Sequence, residues 1–274
     1  MNEIERFKRK ILDEYDRLSR ENDFDFSCHR GLACFNECCR DVNIFLTPYD
    51  ILRLKNNLGI TSSEFLKDYT ISPFDKNLKY PVILLKMRDD EKKSCPFVTP
   101  EGCGVYKDRP WSCRMYPIGL ASPKEEDEHG NKEFFFLLKD DICHGHNEIK
   151  KWTISEWIDN QGAAEYEMMG KHFKELTLHP FFLQGKELPP EKMEMFFTVC
   201  YDLDKFRDFV FQSSFLDKFE IDEETIAKIR EDDVELLLFG YKWLKFALFG
   251  ENTMSVKKNI LDDKKKKLKI EGKL

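Results

Sequence analysis

Long apolar runs are missing from this chain of 274 residues. No stretch reaches the roughly 18 to 20 uncharged apolar residues of a membrane helix. The greasiest one, Val234 to Phe249, carries Glu235, Lys242 and Lys245, so no membrane span is expected. Residues 1 to 10 hold Glu3, Glu5, Arg6, Lys8, Arg9 and Lys10 and no apolar run; no signal peptide is read there, and a cytoplasmic address is expected. Positive charge is also in short supply. Lys and Arg number 44 against 51 Asp and Glu, a net charge of −7, which argues against nucleic acid as the partner of the whole molecule. The chain has no Gly-x-Gly-x-x-Gly fingerprint, phosphate loop, Gly-x-Ser-x-Gly elbow, His-Glu-x-x-His helix or internal repeat. The commonest nucleotide, serine-hydrolase and zinc-protease chemistries therefore have no local signature.

Thiols are what the chain has in number. Cys28, Cys34, Cys38 and Cys39 fall within twelve residues; Cys95, Cys103 and Cys113 form a second group; Cys143 stands alone, and Cys200 lies far away. Cytosolic thiols stay reduced, so nine cysteines there point to metal or redox chemistry rather than disulfides. The spacing Cys28-x5-Cys34-x3-Cys38-Cys39 gathers four sulfurs at small loop-closure cost. Cys95-x7-Cys103-x9-Cys113 and Cys143 supply four more, enough for two four-cysteine centres of zinc or of iron and sulfur. Neighbouring residues of extended chain point to opposite sides. Cys38 and Cys39 could then serve different centres, or one could ligate while the other packs. His144 and His146, beside Cys143, and His29, beside Cys28, are candidate replacements for one sulfur. Cys200 sits on an apolar helical face and reads as core.

The pair in Cys38-Cys39-Arg40, followed by Leu46-Thr47-Pro48-Tyr49-Asp50-Ile51, resembles the YkgJ-type cysteine-cluster family of zinc- or iron-chelating domains. So do Cys95-Pro96-Phe97, Gly102-Cys103, Tyr106 and the run Arg109-Pro110-Trp111-Ser112-Cys113-Arg114-Met115-Tyr116-Pro117. The resemblance covers about residues 28 to 145. The gap between Cys28 and Cys34 is wider than the family's usual opening gap. A branch of this family, flagellin lysine N-methylase, has a similar cysteine pattern and modifies protein lysines. The resemblance implies zinc or iron, an iron–sulfur cluster included, as the cofactor. Around Cys113, Arg109 and Arg114 are placed to offset thiolate charge or to lie on the surface. Tyr106 is read as a core aromatic with a tethered hydroxyl, and Asp50 as a first-turn residue of its helix rather than a ligand.

The remaining text divides near residue 150. Ile4, Phe7, Ile11, Tyr15 and Leu18 predict an amphipathic helix over 3–20. Thr47-Pro48 predicts a helix start and Gly59 its stop, and Ser62 or Ser63 caps the next helix through Tyr69. Residues 42–46, 82–87 and 134–138 read as strands, 73–81 as a linker, 95–117 as loop and 124–132 as an exposed acidic excursion. Thr153 or Ser155 caps a helix through Trp157 and Tyr166 towards Leu176. Another starts at Pro189-Pro190 and carries Met193, Phe196, Phe197, Cys200 and Leu203 on its face. Asp222 caps a last long helix, from Ile226 to Leu248.

The expected fold is thus α+β, mostly α. A loop-rich cysteine-cluster domain, residues 1–150, precedes a helical region, 151–256. The tail, 257–274, has eight lysines against Asp262, Asp263 and Glu271 and reads as a flexible solubilising end. The expected function is metal binding by Cys28, Cys34, Cys38, Cys39, Cys95, Cys103, Cys113 and Cys143, with the helical region as a packing or protein-partner surface. The alternative is an enzyme, lysine-methyltransferase-like or redox-active through an iron–sulfur cluster. No catalytic residue is assigned.

Overall fold

In the computed structural model, the described residues are 14–72, 78–122 and 133–260, with Ile11 and Asp262. Most of the expected 3–20 helix up to residue 13, about half of the 73–81 linker, the acidic excursion and most of the lysine-rich tail lie outside them. Lys257, at the tail's start, is bonded to Leu216 O and Lys218 O. The fold is α+β and mostly helical. Among the described residues no helix is long and apolar enough to cross a membrane.

A two-stranded clamp closes the cysteine-bearing segment. Strand β1 (Asp23–Asp25) pairs antiparallel with β9 (Lys151–Thr153), Phe24 opposite Trp152. Residues 26–150 are therefore one long excursion whose ends are tied together. Within it, β2 (Phe45–Leu46), β3 (Thr70–Ile71) and β4 (Ile83–Leu85) make a small sheet in the order β2-β4-β3. β5 (Val98–Thr99) and β6 (Gly102–Cys103) make a hairpin, and β7 (Ile118–Ala121) pairs with β8 (Phe134–Leu137).

Helix α1 (Pro48–Leu58) starts and stops where its sequence predicts. Thr47 and Asp50 form a capping box, Pro48 takes the first position, and Gly59 ends it with φ 67°. Helix α2 (Ser62–Tyr69) begins one residue earlier than its serines suggest, with Thr61 as cap and Glu64 closing the box. The Ser62 and Ser63 hydroxyls are engaged elsewhere, donating to Asp202 at 2.7 and 2.9 Å.

Five expectations need correction. The described end of the expected 3–20 helix is not helical past Glu14: Leu18 is extended and bridges to Phe135. The stretch 95–117 is not featureless: it holds the β5–β6 hairpin, a 3-10 turn at Tyr106–Asp108 and a short helix α3 (Trp111–Met115). The helix opened by Thr153 ends at Asn160, because Gly162 turns left-handed (φ 60°) before α5 (Ala164–Thr177) begins; the first piece is α4 (Ile154–Asn160). The last long helix is two. Asp222 caps one over Glu223–Glu231, and Asp232 then accepts from the amides of Val234 and Glu235 to start another over Asp233–Leu244. Pro190–Tyr201 forms the expected helix, but Leu203 opens the following one, Leu203–Gln212.

Two apolar cores result. The larger joins α1, α2 and β4 (Tyr49, Leu54, Phe65, Ile83) to the later helices (Leu176, Phe196, Phe206, Leu236), and Cys95 and Cys103 pack at its edge. The smaller holds Phe24, Phe26, Met115, Ile118, Ile154 and Trp157, and Cys143 and Tyr116 pack against it. Trp111 touches both. Cys200 is buried in the larger core, as its helical face predicts.

Candidate metal centre

Two sets of backbone bonds decide which distant cysteines meet. The first ties the start of the excursion to its end. Phe26 N donates to Lys150 O (2.9 Å) and Ser27 N to Gly145 O (3.1 Å). Glycine permits this approach: a Cβ on residue 145 would stand 2.8 Å from Ser27 O and 2.6 Å from the Phe26 ring. The 3-10 turn His144–Asn147 formed there aims the His144 amide at Cys34 Sγ, 3.2 Å away. Cys28, Cys34 and Cys143 are thus brought to one place. Burial, and after it the neighbouring sulfurs of Cys38, Cys143 and Cys34, pushes the Cys28 thiol up to about 11. The Tyr116 hydroxyl is raised by burial and then by its hydrogen bond with Cys143; Cys38 also lies among its neighbours.

The second set runs beside Cys39. Cys95 N donates to Cys39 O (2.8 Å), Asp41 N donates to Lys93 O (3.0 Å), and Arg40 bridges to Ser94 between them. From Cys95 the chain turns through the β5–β6 hairpin, where Cys103 pairs with Val98 and Gly102 takes φ +124°. Cys113 comes in on α3, whose Trp111 amide donates to the buried carboxylate of Asp50 (2.8 Å). Burial first, then Cys95 and Cys103, pushes the Cys113 thiol up to about 12. Cys95 and Cys103 are raised chiefly by burial. Cys38 and Cys39 share a hydrogen bond that lowers Cys38 to about 7 and raises Cys39, which also feels burial and the sulfurs of Cys95 and Cys113.

All nine cysteines are free thiols. Among the described residues no three His, Cys, Asp or Glu side chains stand close enough to grip one ion as they are. The backbone supplies neighbourhoods, and side-chain rotation would have to supply the roughly 2.3 Å sulfur–metal distances of a zinc site. The chemistry of the donors fits such a closure. Crowded thiols resist ionising beside one another, and a divalent cation reverses that penalty because it binds the thiolate. An all-sulfur set selects zinc or iron–sulfur chemistry over magnesium or calcium.

The residues around the sulfurs differ from their expected roles in instructive ways. Arg109 and Arg114 are both buried rather than superficial. Arg109 lies near the sulfurs of Cys103 and Cys113, lowering their thiols against the other influences, and stacks over Tyr106 at 3.8 Å. Arg114 is instead a structural clamp, donating to the carbonyls of Arg109 (3.0 Å), Gln161 (2.7 Å) and Lys107. Tyr106 is 59% exposed and not a core aromatic, because the Arg109 guanidinium covers one face of its ring. Asp50 is a helix cap, as expected, but also reaches α3 through Trp111. Among the described residues the histidines, like the cysteines, stand in no group of three or more donors, and the side chains of His29 and His146 are engaged elsewhere. His146 sets its ring on Phe26 (5.3 Å between centroids), and burial lowers its pKa. His29 Nδ1 accepts from Gly31 N, and His144 contributes its backbone amide to Cys34. Arg88, which the sequence did not single out, fastens the Cys95 loop by donating to Pro96 O (2.6 Å) and lies near Cys95.

Residues 27–144 match the family model CxxCxxCC, described as a putative zinc- or iron-chelating domain. That match begins one residue before Cys28 and ends one residue after Cys143, so the matched segment lies within the excursion closed by β1 and β9. This chain's gaps, five residues after Cys28 and three after Cys34, are wider than the two-residue gaps that the family's name spells. No curated protein and no solved structure matches the chain.

Proposed function

We propose that this is a metal-binding protein that holds zinc or iron on Cys28, Cys34, Cys38, Cys39, Cys95, Cys103, Cys113 and Cys143. The carrying observation is convergence: the Ser27–Gly145 and Cys39–Cys95 backbone bonds join cysteines that lie far apart in sequence, inside the segment that matches a chelating domain. The metal's first contribution is structural. A four-cysteine zinc site supplies on the order of 10 to 16 kcal/mol, comparable with the roughly 5 to 15 kcal/mol of a whole domain. From residue 86 to 117 the fully buried apolar side chains are few, Phe97, Val105 and Met115. The helical region then serves as the frame against which this loop-rich segment is set. A cytoplasmic address belongs to the same reading, since free thiols persist in a reducing compartment.

Elemental analysis and absorption spectra of anaerobically purified full-length chain test it. Stoichiometric zinc in colourless protein supports a structural thiolate site. Absorption near 400 nm with bound iron supports iron–sulfur ligation and opens the redox reading that the family resemblance raised. Absence of both metals overturns the proposal. The methylase-like reading stands or falls separately, on whether the chain binds S-adenosylmethionine.

A further inference from the structure

We propose that the eight thiols make two separate four-sulfur metal sites that divide between adjacent residues. An outer site takes Cys28, Cys34, Cys38 and Cys143, an inner site takes Cys39, Cys95, Cys103 and Cys113, and metal leaves the outer site first. The inference rests on the proposed function and adds to it the allocation of ligands and the order of exchange.

Three independent observations carry it. The first is the backbone. Ser27–Gly145 and His144–Cys34 gather Cys28, Cys34 and Cys143, whereas Cys39–Cys95 and the Cys103–Val98 pair gather the other group. The second is which sulfurs neighbour which. Cys28 feels Cys38, Cys143 and Cys34; Cys113 feels Cys95 and Cys103; Cys39, apart from the adjacent Cys38, feels Cys95 and Cys113. The third is the ground each group stands on. Cys95 and Cys103 pack on the large core, and Cys143 on the small one.

The vicinal pair is the hinge of this division. Cys38 and Cys39 close the 3-10 turn Glu37–Cys39, and Arg40 then turns extended, φ −132° and ψ 139°. Successive side chains of a 3-10 turn diverge by about 120° (three residues per turn). One turn can therefore present Cys38 to one side and Cys39 to the other. Their thiols touch, so the two sites are neighbours.

Charge and exposure set the order of exchange. Around the inner sulfurs stand two cations, Arg109 near Cys103 and Cys113 and Arg88 near Cys95, against one carboxyl, Asp50, near Cys113. Each cation offsets part of the net −2 of four thiolates on a divalent ion. Around the outer sulfurs stand two carboxylates at Cys38, Asp140 and Glu37, which add to that negative charge, against one cation, Arg109, which reaches Cys28. Cys28 and Cys38 are exposed, while every inner cysteine is at least half-covered.

The test uses the full chain loaded with zinc and read by metal analysis together with alkylation and tandem mass spectrometry. Two zinc ions per chain are expected. Graded chelation, quenched at one zinc per chain, should leave Cys28, Cys34, Cys38 and Cys143 alkylated and Cys39, Cys95, Cys103 and Cys113 protected, so that label separates two adjacent residues. Cys143→Ser should lose one of the two zinc ions and keep the inner four protected; Cys38→Ser should do the same, which guards against misfolding of either variant. Alkylation of Cys38 and Cys39 together, or one zinc whose loss exposes all eight, overturns the division while leaving metal binding intact. Exposure of the inner four first overturns the order. No zinc bound at all sinks the underlying functional reading instead.

Discussion

The helical region and the cysteine-bearing loops of the excursion are stabilised by different means, whereas α1 and α2 of the excursion share the large core with the later helices. In the former, Phe196, Val199, Phe206, Val210, Leu236 and Leu244 are fully shielded from water and interlock across several helices. In the latter, the stretch around Cys95 to Cys113 rests on a short ladder at Cys39–Cys95, a two-residue hairpin and arginines clamped to carbonyls. Apolar burial scales with area and needs no partner of a particular kind. Loops built on sulfur need something to tie the sulfurs together. On the proposed reading, one chain carries a segment that is ordered by a ligand on a frame that is ordered by itself.

Removing the metal should produce the largest difference between the two regions. Chelation is predicted to speed amide hydrogen exchange in the cysteine-bearing loops, 27–41, 93–110 and 140–147, starting with the amides of Cys95 and Gly104, which rely on loop contacts alone. It should spare α1 and α2, which stand in the large core. The Pro190–Tyr201 and Asp233–Leu244 helices should keep most of their protection; uniform loss throughout would break the contrast. A core truncation should act the opposite way. Phe196→Ala, at a site with no exposure, is expected to cost about 3 to 5 kcal/mol in denaturant unfolding. Metal per folded chain should be unchanged, and loss of metal in parallel with stability would mean that the regions are not distinct.

Asp50→Ala strikes the seam between them. Its carboxylate accepts from Thr47 N and Trp111 N, so the substitution leaves a buried amide unpaired on the Cys113 helix and removes half of a capping box. A loss of about 1 to 3 kcal/mol is expected, accompanied by weaker zinc retention in a chelator competition. Unaltered retention would show that α3 needs no anchor.

The smallest effect concerns acid. Burial pushes the Asp233 carboxyl up, but Lys55 (3.0 Å), Asn56 (3.2 Å) and Arg207 outweigh that and hold it below its usual 3.8. A carboxyl with a depressed folded pKa contributes stability that is complete above its unfolded value and lost as pH falls through the folded one. Wild type should therefore lose more stability between pH 6 and pH 3 than Asp233→Asn does. An equal loss in both chains would remove Asp233 from the account.

Much of this was legible locally, and what was hidden was tertiary. The Thr47-Pro48 start and the Gly59 stop of α1 are written in adjacent residues, so they could be read. Asp232 was missed, although the step of five from Ile229 to Val234 already departs from helical spacing; there the Asp232 side chain accepts from two amides and starts a new helix. Ser62 and Ser63 looked like caps until Asp202, far along the chain, claimed both hydroxyls. Strands β1 and β9 are three residues each and some 125 residues apart, too short and too distant for any pattern. At the centre, the eight cysteines and their spacing were visible in the sequence. Their proposed allocation was not, because it rests on the Ser27–Gly145 and Cys39–Cys95 bonds. Tyr106 was misplaced for a related reason: its cover is a guanidinium three residues on, not a core.

The most direct test counts protected thiols against bound metal in undenatured, anaerobically isolated chain. Bound zinc or iron, with Cys28, Cys34, Cys38, Cys39, Cys95, Cys103, Cys113 and Cys143 all slow to alkylate until a chelator is added, is the predicted result. Cys200 should stay slow even then, shielded by the large core. Eight thiols that alkylate at once in folded protein carrying no transition metal would contradict the account.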